Sequence, residues 1–252
     1  VSPFTRAFWT DGIGSFVLAI GLALTVRWVF FEAYVIPSSS MLPTLLVNDH
    51  IFVNKILFGI RAPFSQKWFL QWRQPERGEV VVFKAPTEID KYFIKRVVGT
   101  PGDQVLVENG YLYLNGKLVE RTIPQSHKDD WLWLSDQDFP GDAMAGGRAL
   151  YVHWEEHLAQ KTHSILLRKE GAQVATFGPI KVPEGQFFVM GDNRDNSFDS
   201  RSWDSQHRFV PKEFLIGRAS WVWLSCDSTL PVLTFLCNPL SIRWKRFFHQ
   251  VE

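Results

Sequence analysis

The 252-residue chain has almost no charge imbalance: 27 Lys and Arg face 26 Asp and Glu, a formal net charge of +1. That excludes a nucleic-acid binder working through bulk positive charge, and equally an acidic disordered tail. Cysteine is scarce. Two residues build neither a disulfide-dense scaffold nor an all-cysteine zinc site. Glycine and proline, 17 and 14, stay near average and far from low-complexity composition. No repeat is visible, and G-x-S-x-G is missing, so the hydrolase form of Ser-His-Asp catalysis has no support. What the chain does have in excess is aromatics, 11 Trp and 21 Phe, within a hydrophobic fraction of 46% that suffices for a sizeable core.

The longest apolar run is Ile13 to Phe31, IGSFVLAIGLALTVRWVFF, whose only charge is Arg27. As a helix it would reach about 28 Å, close to the ~30 Å hydrocarbon core of a bilayer. Phe8, Trp9, Trp28, Phe30, Phe31 and Tyr34 bracket it like interfacial aromatics. Arg27 lies within about a turn of the end, where its stem can carry the guanidinium to the headgroups. A cleavable leader needs a basic start, a shorter apolar stretch and a small-residue exit. The exit here, Glu32-Ala33-Tyr34-Val35-Ile36-Pro37, has no A-x-A pattern. An uncleaved anchor is therefore expected over a leader or a buried core helix. Charge leaves its orientation open, because Arg6 precedes the span and Arg27 opposes it.

Beyond the span the pattern turns to short strands. Ile51-Phe52-Val53, Glu79 to Phe83 and Tyr92 to Val98 are rich in β-branched and aromatic residues bounded by turn formers. In VLVENGYLYLNGKLVE, Val105 to Glu120, Asn109-Gly110 and Asn115-Gly116 separate alternating apolar runs, which predicts two successive hairpins. Residues 121–176 change character, with four of the seven His, clustered acids and a Gly141 to Gly147 loop. They read as an insertion. Strands resume at Gln186 to Met190 and Ala219 to Leu224. The expected fold is mostly β: one N-terminal transmembrane helix, then a β-rich domain with an inserted segment. The expected division is 1–12 tail, 13–31 anchor, 32–120 and 177–225 β-rich core, 121–176 insertion, and 226–252 C-terminal segment.

Ile36-Pro37-Ser38-Ser39-Ser40-Met41-Leu42-Pro43-Thr44-Leu45 follows the span closely. Alone it reads as a polar turn or helix cap. Together with KRVVGTPGD, Lys95 to Asp103, and GDNRDNSFDSR, Gly191 to Arg201, it resembles the bacterial type I signal peptidases. The three motifs stand in family order, and the similarity runs from about Phe30 to Leu224. This resemblance implies that Ser40 is the nucleophile and Lys95 the general base. It also implies an oxyanion hole from the Ser38 hydroxyl and the Ser40 N–H, a Ser197 hydroxyl holding the Lys95 amine, and an Asp199–Arg201 pair shaping the site. Asp192 and Arg96 belong to the same supporting shell. Ser39 stands where other members often carry Gly, which narrows the backbone freedom of the turn.

The chemistry is arguable without the family. A serine hydroxyl is a poor nucleophile unless a base takes its proton as it attacks. A lysine serves only if some of it is neutral, and at a pKa of ~10.4 only about 0.04% is neutral at pH 7. Lowering the pKa to ~8 raises that to roughly 10%, for about 3.3 kcal/mol of lost charge solvation. Phe93, Ile94, Val97 and Val98 around Lys95 offer the burial that would do this. Read by itself, Lys95 is a strand-edge solubility residue. In GDNRDNSFDSR a frame for the dyad ranks first, a bare turn second and a cation loop third, the EF-hand spacing being absent.

Signal sequences end in small side chains at −1 and −3, so their protease needs shallow apolar pockets close to the bilayer. The resemblance makes Ile36, Met41, Leu45, Phe93 and Ile94 candidates for the −1 pocket, and Tyr34, Ile36 and Ile94 for the −3 pocket; ordinary core packing is the alternative. Expected partners are signal-peptide-bearing preproteins and the phospholipid bilayer, with no nucleic acid, cofactor or metal. The expected location is the bacterial cytoplasmic membrane, single-pass, with the catalytic domain on the outer (periplasmic) face. Arg243-Trp244-Lys245-Arg246-Phe247-Phe248 suits an interfacial helix or a solvated terminal one. Cys226 and Cys237 fit a bridge or two free thiols. The rival enzyme is a zinc peptidase: His153-Trp154-Glu155-Glu156-His157 matches H-x-x-E-H, which on a helix puts both His on one face, with His127 or His163 as third ligand. Another Ser-Lys protease of self-cleaving repressor type shares the dyad chemistry, but the span and the long third motif argue against it.

Overall fold

Alternating β-branched and aromatic residues make strands of most of the chain after residue 30. The structure, a computed structural model, describes residues 9, 12–62, 67–88, 90–124, 129–139, 141, 142, 144, 146–170, 176–231, 233 and 235–252. Arg6, Phe8 and His127 lie outside them. One long helix, α1 (Ile13–Val29), precedes the strands. In chain order these are β1 (Phe31–Val35), β2 (Asp49–Asn54), β3 (Gly59–Arg61), β4 (Trp68–Gln71), β5 (Val80–Lys84), β6 (Tyr92–Gly99), β7 (Gln104–Glu108), β8 (Tyr111–Leu114) and β9 (Lys117–Leu118). They continue with β10 (Arg121–Thr122), β11 (Tyr151–Leu158), β12 (Lys161–Arg168), β13 (Thr176–Lys181), β14 (Gln186–Met190), β15 (Val210–Pro211), β16 (Leu215–Ser225) and β17 (His249–Gln250).

The main antiparallel sheet runs β1-β2-β16-β5-β6-β14-β15, with β17 added to β16. Beside it lie the sheets β13-β7-β8-β9 and β10-β11-β12, and the hairpin β3-β4. Both Asn-Gly pairs form hairpin turns. Asn109 and Gly110, then Asn115 and Gly116, all take positive φ, the left-handed pair that a two-residue turn matched to strand twist requires.

Both ends of the chain differ in extent from the expected ones. The helix stops at Val29 and Phe31 opens a strand, so the helical run is 17 residues instead of reaching Phe31. Among the described residues no helix is long and apolar enough to cross a membrane. The C-terminal segment is no helix of either expected kind. It holds a one-turn 3-10 helix (Trp244–Arg246), then β17, and buries Val251 in the core. Its two arginines serve the fold: Arg243 pairs with Asp227 and Asp138, and Arg246 is wholly buried on Asp49. Cys226 and Cys237 are joined in a disulfide.

Packing explains why the insertion belongs to the core. One cluster combines Leu42 and Leu46, just after the serine motif, with Leu134, Phe139, Tyr151 and Leu166 from residues 121–176. The inserted hairpin therefore covers the back of the serine loop.

Arg246 gives the first testable consequence. Its Nη2 donates to Asp49 Oδ2 at 2.6 Å and to the Thr44 carbonyl at 3.1 Å. Arg246→Ala leaves a buried carboxylate uncompensated, a loss of about 3–5 kcal/mol. Arg246→Met with Asp49→Leu should lose much less, as read by denaturant midpoints.

Candidate active site

Chain geometry sets the serine before any chemistry does. β1 ends at Val35, and the Ile36 N–H is tied to the Asp49 carbonyl at 2.8 Å. Ser38 is extended, and Ser39–Met41 form one 3-10 turn whose Met41 is fully buried among Ile51, Val53 and Val80. That anchor holds Ser40 still. Lys95 lies in β6, paired across to Val81 of β5, with its aromatic neighbour Phe93 under the amine at 5.8 Å. Lys95 Nζ donates to Ser40 Oγ at 2.6 Å, and both residues are buried, 5% and 8% exposed. Desolvation lowers the Lys95 pKa to about 8; Asp199 and Asp192 pull it upward and Arg201 helps push it down. Ser38 Oγ stands 3.3 Å from Ser40 Oγ.

The Gly191 to Arg201 loop wraps this pair. Asp192 is fully buried and takes Arg96 on both oxygens, from Nε at 2.7 Å and Nη2 at 2.6 Å, and the Thr44 hydroxyl at 2.5 Å. Its pKa stays low because Arg96 and these hydrogen bonds outweigh desolvation. Asp199 accepts from Arg201 Nε at 2.9 Å and Nη2 at 2.8 Å and from the Gly191 N–H at 2.9 Å, and is lowered in the same way against its burial. Arg168 N–H donates to Asp195. The acids of this loop are thus committed to arginines and backbone, which removes the cation-loop reading, and their burial removes the bare turn.

Ser197 differs from expectation. Its buried hydroxyl meets no hydrogen-bond geometry, and the Lys95 amine donates to Ser40 instead. The hydroxyl sits over Gly191, near enough to Asp199 to help hold that pKa down. Four further residues complete the frame and carried no signal of their own. A Cβ on Gly191 would strike the Ser197 hydroxyl and come within 2.5 Å of the Ser40 carbonyl, so only glycine fits. The Asn193 N–H donates to that carbonyl at 3.1 Å, and its side chain donates to the Ser39 carbonyl at 3.1 Å. Asn196 reaches Ser39 Oγ at 3.0 Å, and Thr44 holds Asp192. All four lie inside the quoted motifs, but no spacing rule marks their roles.

The pocket candidates divide. Met41 and Leu45 have no exposed surface and Ile36 only 2%; they pack in one core cluster, against which Tyr34 and Ile94 lie. Tyr34, Phe93 and Ile94 remain half-buried. Burial and nearby Glu32 raise the Tyr34 pKa. The zinc reading fails on geometry. His153, Glu156 and His157 lie in strand β11, not on a helix, which sets the two His about 13 Å apart along the strand. Each imidazole has a hydroxyl partner, Ser164 for His153 and Thr162 and Thr122 for His157, and Glu156 is held by Arg194.

Residues 9–224 match the family described as Signal peptidase, peptidase S26. The signal peptidase I of Pseudomonas fluorescens is 36% identical over 231 residues, covering 89% of this chain and 75% of its own. That of Pseudomonas aeruginosa is 37% identical over 220 residues, 84% of this chain and 71% of its own. A crystal structure of a signal peptidase I from Enterococcus faecalis matches 58% of this chain and 97% of its own, at 23% identity and a TM-score of 0.32. With the family match spanning most of the sequence and two relatives above a third identical, this chain belongs to the S26 signal peptidase family and is a serine peptidase.

Proposed function

We propose that the protein removes signal peptides from exported preproteins with a Ser40–Lys95 dyad. The observation that carries this is the 2.6 Å hydrogen bond between a buried Lys95 amine and the Ser40 hydroxyl. Ser40 Oγ attacks the scissile carbonyl while neutral Lys95 takes its proton. The tetrahedral oxyanion is held by the Ser38 hydroxyl and by the Ser40 N–H, which lies in the first turn of a helix where N–H groups lack internal acceptors. Lys95 returns the proton to the leaving amine, leaving an ester on Ser40. It then takes a proton from water, which hydrolyses that ester. Arg96, Asp192, Asp199, Arg201 and Ser197 shape the pocket without touching the reacting bond. Tyr34, Phe93 and Ile94 face the small side chains before the cleavage point.

The exposed side chains of α1 support a placement at the membrane. Phe16, Val17, Leu18, Ile20, Leu22 and Leu24 are all exposed, so the described part of this helix turns apolar side chains outward all round. Its 17 residues reach about 25 Å, the short end of the spanning range, and the strand at Phe31 begins at once. In our reading α1 is the membrane anchor within residues 13–31. The core of 32–120 and 177–225 stands on the outer face of a bacterial cytoplasmic membrane, with 121–176 inserted in it. Ser40, nine residues after Phe31, then lies near the interface that delivers the substrate.

Cleavage of a preprotein by the detergent-solubilised protein tests the dyad. Ser40→Ala and Lys95→Ala should each lose activity by at least about 10³-fold. Full activity in either, or its loss on chelation with recovery on added zinc, would refute the dyad. A neutral lysine is the active form, so kcat/KM should rise with pH through a limb near the Lys95 value of about 8. A flat profile between neutral and alkaline pH would contradict that assignment. Gly191→Ala should cut kcat about 10²-fold by displacing the Ser40 carbonyl, with the fold retained by circular dichroism.

A further inference from the structure

Glu156 stands outside every motif that the proposed chemistry uses, yet it is 2% exposed in the middle of β11. Both of its oxygens accept from one guanidinium, Oε1 from Arg194 Nη1 at 2.7 Å and Oε2 from Nη2. Directly opposite on β12 is His163, whose Nε2 lies 3.4 Å from Oε2. Arg96 and Asp192 in turn act on His163. Arg121, opposite Glu156 on β10, places its guanidinium on the rings of Tyr111 and Trp154 and on the Gly110 carbonyl. The cation held by Glu156 is therefore Arg194.

Arg194 leads straight to the site. Its carbonyl accepts Arg201 Nη2 at 2.6 Å; Arg201 holds Asp199, and Asp199 holds the Gly191 N–H. One residue earlier, the Asn193 N–H donates to the Ser40 carbonyl. The same hairpin grips the loop a second time, with the Leu166 N–H donating to the Asp192 carbonyl at 2.9 Å.

We propose that Glu156, on the inserted β11–β12 hairpin, is a positioning residue for the nucleophile: by fixing Arg194 it sets the loop that carries the Ser40 carbonyl contact and the Asp199–Arg201 pair. This rests on the Ser40–Lys95 reading. Without the Glu156 charge, a buried guanidinium must find another anion, and the carboxylates already acting on Arg194 besides Glu156 are Asp192 and Asp199. Drawing either toward Arg194 weakens its pairing with Arg96 or Arg201. Those two carboxylates are also the groups that hold the Lys95 amine protonated against burial, so diverting them favours the neutral amine still more. Tyr34 and Ile94 pack in the cluster around Met41 and are untouched by the change.

Preprotein cleavage by the full chain in detergent, measured across pH, decides the matter. Glu156→Gln is expected to lower kcat by about 10²-fold with KM little changed, and to move the alkaline-rising limb to lower pH. Glu156→Asp keeps the charge at shorter reach and should give an intermediate kcat with the limb in place. Wild-type kcat and limb in Glu156→Gln overturn the inference. Equal losses in both variants with an unmoved limb do so too, since they mark a merely structural residue. Should Glu156→Gln fail to fold by near-ultraviolet circular dichroism, Glu156→Asp decides alone, and wild-type kcat there is the overturning result. Lys95→Ala separates the two readings. Activity in that variant sinks the dyad, whereas an inactive Lys95→Ala beside wild-type behaviour at Glu156 sinks only the positioning role.

Discussion

Water is kept from the Lys95 amine, and much of the structure answers to that. A buried ammonium is costly, so burial drives the group toward neutrality, while two buried carboxylates nearby act in the opposite sense. Had Asp192 and Asp199 stood unpaired, they would have held the proton on Lys95. Each instead takes an arginine on both oxygens, which spends most of its charge locally. The pKa that remains is a balance between desolvation and residual attraction. Arg96 and Arg201 tune it by pairing with those carboxylates.

Such a balance needs rigid support, and hydrophobic packing provides it. Met41 buries the turn that carries Ser40, and Leu42 and Leu46 are locked against the inserted segment. The β5–β6 pair carries Lys95 on one strand and Arg96 next to it. Backbone hydrogen bonds from Asn193 and Leu166 complete the frame. Three regions distant in sequence thus meet with little freedom left, the condition for a hydroxyl and an amine to stay within reach.

Much of this was legible in the residues and some was not. The two Asn-Gly turns announced themselves because only left-handed conformations suit them. The strands around Val80 and Lys95 followed from composition, and the three motifs supplied the site residues through resemblance. Periodicity failed where tertiary context decided. His153 to His157 fits a helical spacing but pairs as a strand with Thr162 to Leu166. The basic aromatic end near Trp244 promised a helix, yet Arg246 is drawn inward by Asp49 and the chain turns into β17. The apolar run ending at Phe31 leaves the helix after Val29, and Phe31 opens a strand that pairs with β2. Glu156 stood out only as part of the zinc motif, because a buried ion pair across 38 residues leaves no local pattern.

The way the inserted segment backs the serine loop bears on when the protein becomes a peptidase. Residues 40, 95, 156 and 194 meet only after long loops have closed, and such non-local contacts form late in folding. A nascent chain therefore carries Ser40 apart from Lys95, with that lysine still solvated and charged. In our reading, reactivity is itself the last product of assembly.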